Sequence, residues 1–325
     1  MRRRRPPSAT GPAPLLDRAV VGIAQWLPRP GDAPGNLAAA LGLVAELGRR
    51  RCDLIVLPEL WPSGYSPKTL AGDVAASAEP VDGPRTAALA AAAAAAGAWL
   101  AAGSVPERDG ADVYNTALLF GRDGELRAVH RKAHLYAPLG EDEVFAAGQR
   151  LTVCPTEDFG VLGLPVCFDG DFPETARALR LAGARVVVQA SAYEVEAESW
   201  WDRLYPARAL ENGQWWVMSN QCGKTPSGTL LGGSQIISPL GQVVSRAVKV
   251  HDLTGPAGPT LLVADIALAE ELAEAGRLNS ALWENRREEL YIRAGAAASA
   301  HDKPGPPEDG QGTGRPEPAG TGRDM

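Results

Sequence analysis

The sequence has no surplus of basic charge, no paired-cysteine motif and no apolar run long enough to cross a membrane. Its 32 Lys and Arg are outnumbered by 39 Asp and Glu, for a formal charge of −7. An acidic chain without a basic stripe offers nothing to a phosphate backbone, which argues against nucleic-acid binding. No uninterrupted apolar stretch approaches the roughly 20 residues of a membrane span, so no membrane partner is expected. The one basic run, Arg2 to Arg5, leads into Pro6-Pro7 and lacks the apolar segment of a secretory or twin-arginine signal. The four cysteines (Cys52, Cys154, Cys167 and Cys222) include no Cys-x-x-Cys pair and fall in or beside strand-like segments. Neither a disulfide frame nor a zinc site is expected; reduced thiols in a cytoplasm are. There is also no repeat of fixed period and no internal linker.

What is present is core. With 45% hydrophobic residues the 325-residue chain can bury a large α/β domain. Residues 1–18 read as a disordered tail, and from about Ala294 the composition turns to Gly, Pro and charged residues, so 294–325 read as a second. Between them, 19–293, continuous apolar strands such as Asp53 to Glu59 suggest sheets buried on both faces. Asn36 is expected to cap a helix reaching Arg51, and the alanine-rich helix Thr86 to Ala96 to end on Gly97. Gly121-Arg122-Asp123-Gly124 reads as a hairpin turn. Helix crossovers are mixed with hairpins, which two mixed sheets with helices on their outer faces explain better than a singly wound parallel sheet.

Three polar residues stand where polarity is costly. Glu59 ends a buried apolar strand, and Lys132 follows another. Cys167 ends the apolar run Val161 to Val166, just before a helical pattern opened by Phe172-Pro173-Glu174. Each alone has an ordinary reading: a satisfied acid, a solvated lysine, a core thiol. Together they are complementary groups at strand ends, where α/β folds gather active sites. A cysteine on a strand-to-helix turn is held out above the sheet edge. An ammonium nearby favours its thiolate, and a carboxylate can accept its proton and pass it to a leaving amine.

The ordered motifs resemble the nitrilase, or carbon–nitrogen hydrolase, superfamily. They are Leu57-Pro58-Glu59 with Gly64-Tyr65, Arg131-Lys132-x-His134-Leu135, and Cys167-Phe168-Asp169 with Phe172-Pro173-Glu174. Arg208-Ala209-x-Glu211-Asn212, Asn220-x-x-Gly223 and Gly232-Gly233-Ser234 follow. The resemblance implies a four-layer α-β-β-α sandwich, a Glu59–Lys132–Cys167 triad and a homodimer or larger assembly. It also implies a hydrolase that cleaves a non-peptide C–N bond of a small amide or N-carbamoyl compound through a cysteine thioester, with no metal or cofactor. Nitrile hydrolysis by the same triad and a catalytically silent binding protein are the alternatives. Many members carry a second glutamate. Counting back from Gly148 points to Glu141, with Glu143 the runner-up, although Ala147 replaces the usual proline of that turn. Cys-Phe-Asp resembles the amide side of the family more than Cys-Trp-Glu nitrilases. Candidate substrate contacts are Tyr65, Phe168, Asp169, Asp171 and Tyr193. Asp171 reads either as a cap for the helix near Pro173 or as a pocket acid that disfavours carboxylate substrates.

Overall fold

The computed structural model describes residues 15–255 and 258–292. The described residues divide after Ser280 into two units, and the first holds both sheets and the site. The first sheet is built from β1 (Ala19–Gln25), β2 (Leu54–Val56), β3 (Trp99–Asp109), β4 (Asp112–Phe120) and β5 (Leu126–Arg131). The second contains β6 (Val153–Pro155), β7 (Val161–Gly163), β8 (Val186–Ser191) and β9 (Trp215–Asn220). A small hairpin, β10 (Cys222–Lys224) and β11 (Thr229–Leu231), precedes β12 (Gln235–Ile237) and β13 (Val243–Arg246), which extend the second sheet. β14 (Thr260–Ile266) returns to the first, antiparallel to β1. Each sheet thus has three parallel strands, β1-β2-β3 or β7-β8-β9, flanked by antiparallel ones.

Residue alternation explains why both sheets are covered twice. On β8 and β9, Val186, Val188, Trp215 and Val217 face the first sheet, meeting Val21, Ile23, Leu54 and Trp99 in the central core. Their neighbours Val187, Trp216 and Met218 face outward onto α5 (Pro173–Leu181) and α6 (Glu198–Asn212). On the other side Ile55 and Leu100 meet α1 (Ala33–Arg49) and α3 (Pro84–Ala96). A strand apolar on both faces needs such cover, and the outer helices supply it. The expected two mixed sheets with helices outside are therefore what the chain forms. The remaining helices, α2 (Leu70–Ser77), the single turn α4 (Glu141–Val144) and α7 (Leu268–Glu284), complete the unit.

Some local expectations fail for identifiable reasons. α1 is capped by Asp32, whose side chain accepts from Gly35 N. Asn36 lies inside the helix, buried, and spends its amide on Arg29 and Pro62 backbone groups, so it pins the preceding loop. The tail boundary after residue 18 falls late, because Leu16 N donates to Asp158 O and Leu16 packs on the central core. Residues 1–14 and 293–325, where the rest of both expected tails falls, lie outside the described residues.

One irregularity serves the site directly. The β3–β4 register slips between Ala101 and Ser104, and Gly103 sits there at φ +68°. A Cβ on Gly103 would lie 2.0 Å from Pro58 O. The bulge therefore lets β3 grip the turn that carries Glu59: Ser104 N donates to Pro58 O, Leu60 N to Ser104 Oγ, and the Trp61 indole to Ala102 O. Gly103→Ala should lose about 2 kcal/mol or more of stability, read as a fall in Tm, and should lower kcat further than a matched surface substitution. Wild-type Tm and kcat in that variant would show that the close approach is dispensable.

Candidate active site

Glu59 arrives on the turn after β2, Lys132 one residue beyond β5, and Cys167 after β7, so both sheets contribute. The expected strand into Cys167 is interrupted. β7 stops at Gly163, Pro165 cannot donate to a ladder, and only an isolated Val166–Ala190 bridge continues the pairing. Cys167 then opens a 3₁₀ turn, Cys167–Asp171, with φ +44°. A left-handed non-glycine residue at this point is strained backbone of the kind found at nucleophile turns.

The floor of the site is an ion cluster cut off from water. Lys132 Nζ donates to Glu59 Oε1 at 2.9 Å and to Glu141 Oε1 at 2.8 Å, and both glutamates are 0% exposed. Asn115 Nδ2 also reaches Glu59 Oε1, at 2.8 Å, and Gln221 Nε2 holds the Glu59 carbonyl at 2.7 Å. Glu141 accepts in addition from Tyr65 OH at 2.9 Å and from Tyr136 N at 2.9 Å. Glu143 is exposed, whereas Glu141 is buried in this cluster. The loop needs no proline to close. Gly148 N donates to Lys132 O, and Gly148 packs so tightly on Arg131 that a Cβ would lie 2.1 Å from its carbonyl.

The electrostatics follow from burial and pairing. Burial opposes the Lys132 charge, but Glu141 and Glu59 outweigh it and hold the amine firmly protonated. Burial pushes Glu59 up, Lys132 pulls it down, and Glu141 pushes it up again; the net shift is upward. Cys167 is also pushed well up, first by burial and then by Glu59, against the weaker pull of Lys132 and of the Ala192 N–H. The lysine was expected to favour a standing thiolate. Burial and Glu59 act against that thiolate, and Glu59 Oε2 has no nitrogen or oxygen partner among the described residues.

A cavity of about 310 Å³ opens above this floor, bordered by Lys132, Glu141, Cys167 and, among the expected contacts, Tyr65, Phe168, Asp171 and Tyr193. Asp169 is not on its wall. It is fully buried and binds His130 Nε2 (3.0 Å), His134 Nδ1 (2.8 Å) and the backbone N–H groups of Ala133, His134 and Val166. Although burial opposes its charge, these bonds hold its carboxyl below the usual range, and they tie the nucleophile turn to the segment carrying Lys132. Asp171 is not a helix cap either. Phe172 occupies that position without a side-chain bond, while Asp171 Oδ1 accepts from the Tyr193 and Tyr205 hydroxyls.

Tyr205, Asn115 and Gln221 were not anticipated. Tyr205 had a signal: Trp201, Tyr205, Arg208 and Asn212 recur at helical spacing on the buried face of α6, an unusually polar set for a core stripe. Asn115 reaches Glu59 from two strands away in the same sheet and Gln221 from the other sheet, pairings that no local pattern encodes.

A model of the carbon-nitrogen hydrolase family matches residues 19–271. The chain is 30% identical over 294 residues to a chloroplastic omega-amidase of Arabidopsis thaliana, covering 86% of this chain and 75% of that protein. It is 36% identical over 229 residues to a hydrolase encoded in the pqqF 5' region of Pseudomonas protegens, covering 70% and 78% respectively. Its fold matches the crystal structure of an amidase from Nesterenkonia sp. with a TM-score of 0.71 and 28% identity, over 88% of this chain and 99% of that one. Further structures of that amidase hold butyramide, or the acetamide moiety of fluoroacetamide joined to the active site cysteine. The chain belongs to the carbon–nitrogen hydrolase family, on the amidase side of the nitrilase superfamily. It is thus a hydrolase of non-peptide C–N bonds and not a silent binding relative.

Two outcomes test the geometry. Cys52, Cys154 and Cys222 are buried, whereas Cys167 is half-buried and borders the cavity beside Glu59 and Lys132. Iodoacetamide should therefore modify Cys167 first, in step with loss of activity, as peptide mass spectrometry would reveal; earlier labelling elsewhere would contradict this. Asp169→Asn should lower kcat at least about tenfold, since misplacing reacting groups by about 1 Å costs on that order or more, and should slow Cys167 alkylation. Unchanged alkylation with unchanged kcat would remove the clamp.

Proposed function

We propose that Cys167 attacks the carbonyl carbon of a small amide or N-carbamoyl compound, with Glu59 as general base and then acid and Lys132 as oxyanion partner. The observation that carries this reading is the convergence of Cys167, Lys132 and Glu141 on one cavity, with Glu59 bound to Lys132 behind them. Glu59 takes the thiol proton as the S–C bond forms. The carbonyl electron pair moves to oxygen, and the ammonium of Lys132, with the Phe168 N–H, supports the resulting charge. Glu59 then gives its proton to the nitrogen as the C–N bond breaks, releasing ammonia or an amine and leaving an acyl thioester. Water, deprotonated by Glu59, attacks the thioester; the acid departs and the thiol regains the proton. Every charge-changing step passes through Glu59, which is why its raised pKa matters.

Glu141 keeps that base usable. Lys132 bound to Glu59 alone would pull the carboxyl down and make it a poor proton acceptor. Sharing the ammonium with Glu141 weakens that pull, and the second negative charge pushes Glu59 further up. A soluble enzyme with this site needs no donated group beyond water and substrate, and a homo-oligomer in a cytoplasm remains the expected setting.

The test is ammonia release from a panel of amides and carbamoyl compounds, with Cys167→Ala as the inactive control. Glu59→Gln and Lys132→Ala should each cost several orders of magnitude in kcat, and the double variant little more than either, because they act as one unit. Additive losses in log kcat would count against a shared mechanism. The pH dependence has a definite sign. Glu59 must be ionised to act as base, so kcat/KM should fall on acidification through a pKa above the ordinary glutamate range. In Glu141→Gln the residual activity should show that limb displaced toward lower pH. A limb that stays in place would mean Glu141 does not tune Glu59.

A further inference from the structure

We propose that the cavity selects amides bearing a positive charge at the end remote from the scissile bond, and that Glu194 is the principal residue selecting them. The inference rests on the amide reading above and names its substrate class. Along the cavity wall, Lys132 is the single cationic side chain among the described residues, and its ammonium is already shared between two buried carboxylates. Three acids, Asp171, Glu194 and Glu196, border the same cavity together with Trp200. A substrate ending in a carboxylate would enter facing three like charges and find no free cation, a penalty that grows as the cavity excludes water.

Glu194 carries most weight because it is half-buried, whereas Glu196 is exposed and screened. Burial and then the neighbouring Glu196 push its carboxyl up, and neither acid forms an ion pair with a described residue. That arrangement is unfavourable until a cation arrives. The negative field extends to a second lining residue: the Tyr136 hydroxyl is pushed up by burial and then by Glu194. Asp171 is locked in place by Tyr193 and Tyr205, so it adds charge from a fixed position. Trp200, 55% exposed at the mouth, offers an aromatic surface that suits an ammonium and gives nothing to a carboxylate.

A matched six-carbon series decides the matter: ε-aminocaproamide, caproamide and adipic acid monoamide. At low salt, kcat/KM for ammonia release should favour the amine over the neutral amide about tenfold and over the acid about a hundredfold. The advantage should shrink as salt is raised, and the Glu194→Gln/Glu196→Gln double variant should bring the amine-to-neutral ratio close to one. Calorimetric binding of the same three compounds to Cys167→Ala provides an arm independent of turnover. Failure of all three to release ammonia, with the amine still bound best, would overturn the amide chemistry and sustain the charge selection. Flat or reversed preference in turnover or in binding, or a ratio untouched by the double variant, would overturn the charge selection.

Discussion

One buried ammonium, Lys132, held between two buried carboxylates, is what the rest of this molecule is arranged to support. Moving a charge of this kind out of water costs several kcal/mol per ion, and one partner rarely repays it. Here two acids and a tyrosine hydroxyl complete the set, all of them buried. One positive charge facing two potential negatives leaves the cluster short of balance. The group that absorbs the difference is Glu59, because Glu141 receives two further hydrogen bonds and Glu59 Oε2 receives none from nitrogen or oxygen. The same imbalance that makes the cluster costly therefore makes one of its members a base.

The scaffold follows from that requirement. The three reacting side chains come from segments distant in sequence, and each is fixed by backbone that belongs to another segment. β3 grips the Glu59 turn through the Gly103 bulge. Asn115 on β4 reaches Glu59, while its carbonyl accepts from Lys132 N, so one residue spaces the base from the ammonium. Asp169 spans from the cysteine turn to His130, Ala133 and His134 on either side of Lys132. Such cross-ties hold charged atoms at hydrogen-bond distance in a strained turn that would otherwise relax.

This explains which parts of the site could be read from residues alone. Glu59, Lys132 and Cys167 announced themselves because a polar group at the end of an apolar strand violates a local rule, and local rules are what a sequence displays. Asp169 misled because its position next to the nucleophile suggests the pocket, while its side chain turns back into the protein to satisfy five donors. Of the two readings of Asp171 only the cap fails: two tyrosines, from the end of β8 and from α6, claim its carboxylate where it borders the cavity. The outcome in both cases is set by partners far along the chain.

The ion cluster and the acidic wall also constrain each other. A positive substrate end near Glu194 would sit in the cavity bordered by Lys132, to which Glu59 is bound, and its field would favour the ionised form of any carboxyl it approaches. Binding such a substrate would then lower the Glu59 pKa somewhat, keeping the base charged at pH values where the empty site begins to lose it. Glu141 acts in the opposite sense, raising Glu59 so that it can accept a proton at all. The two influences differ in when they apply, one permanent and one present only with substrate. A permanent acid beside the lysine and a transient cation at the mouth would together give a base that is strong at rest and stays ionised when occupied, which neither arrangement alone provides.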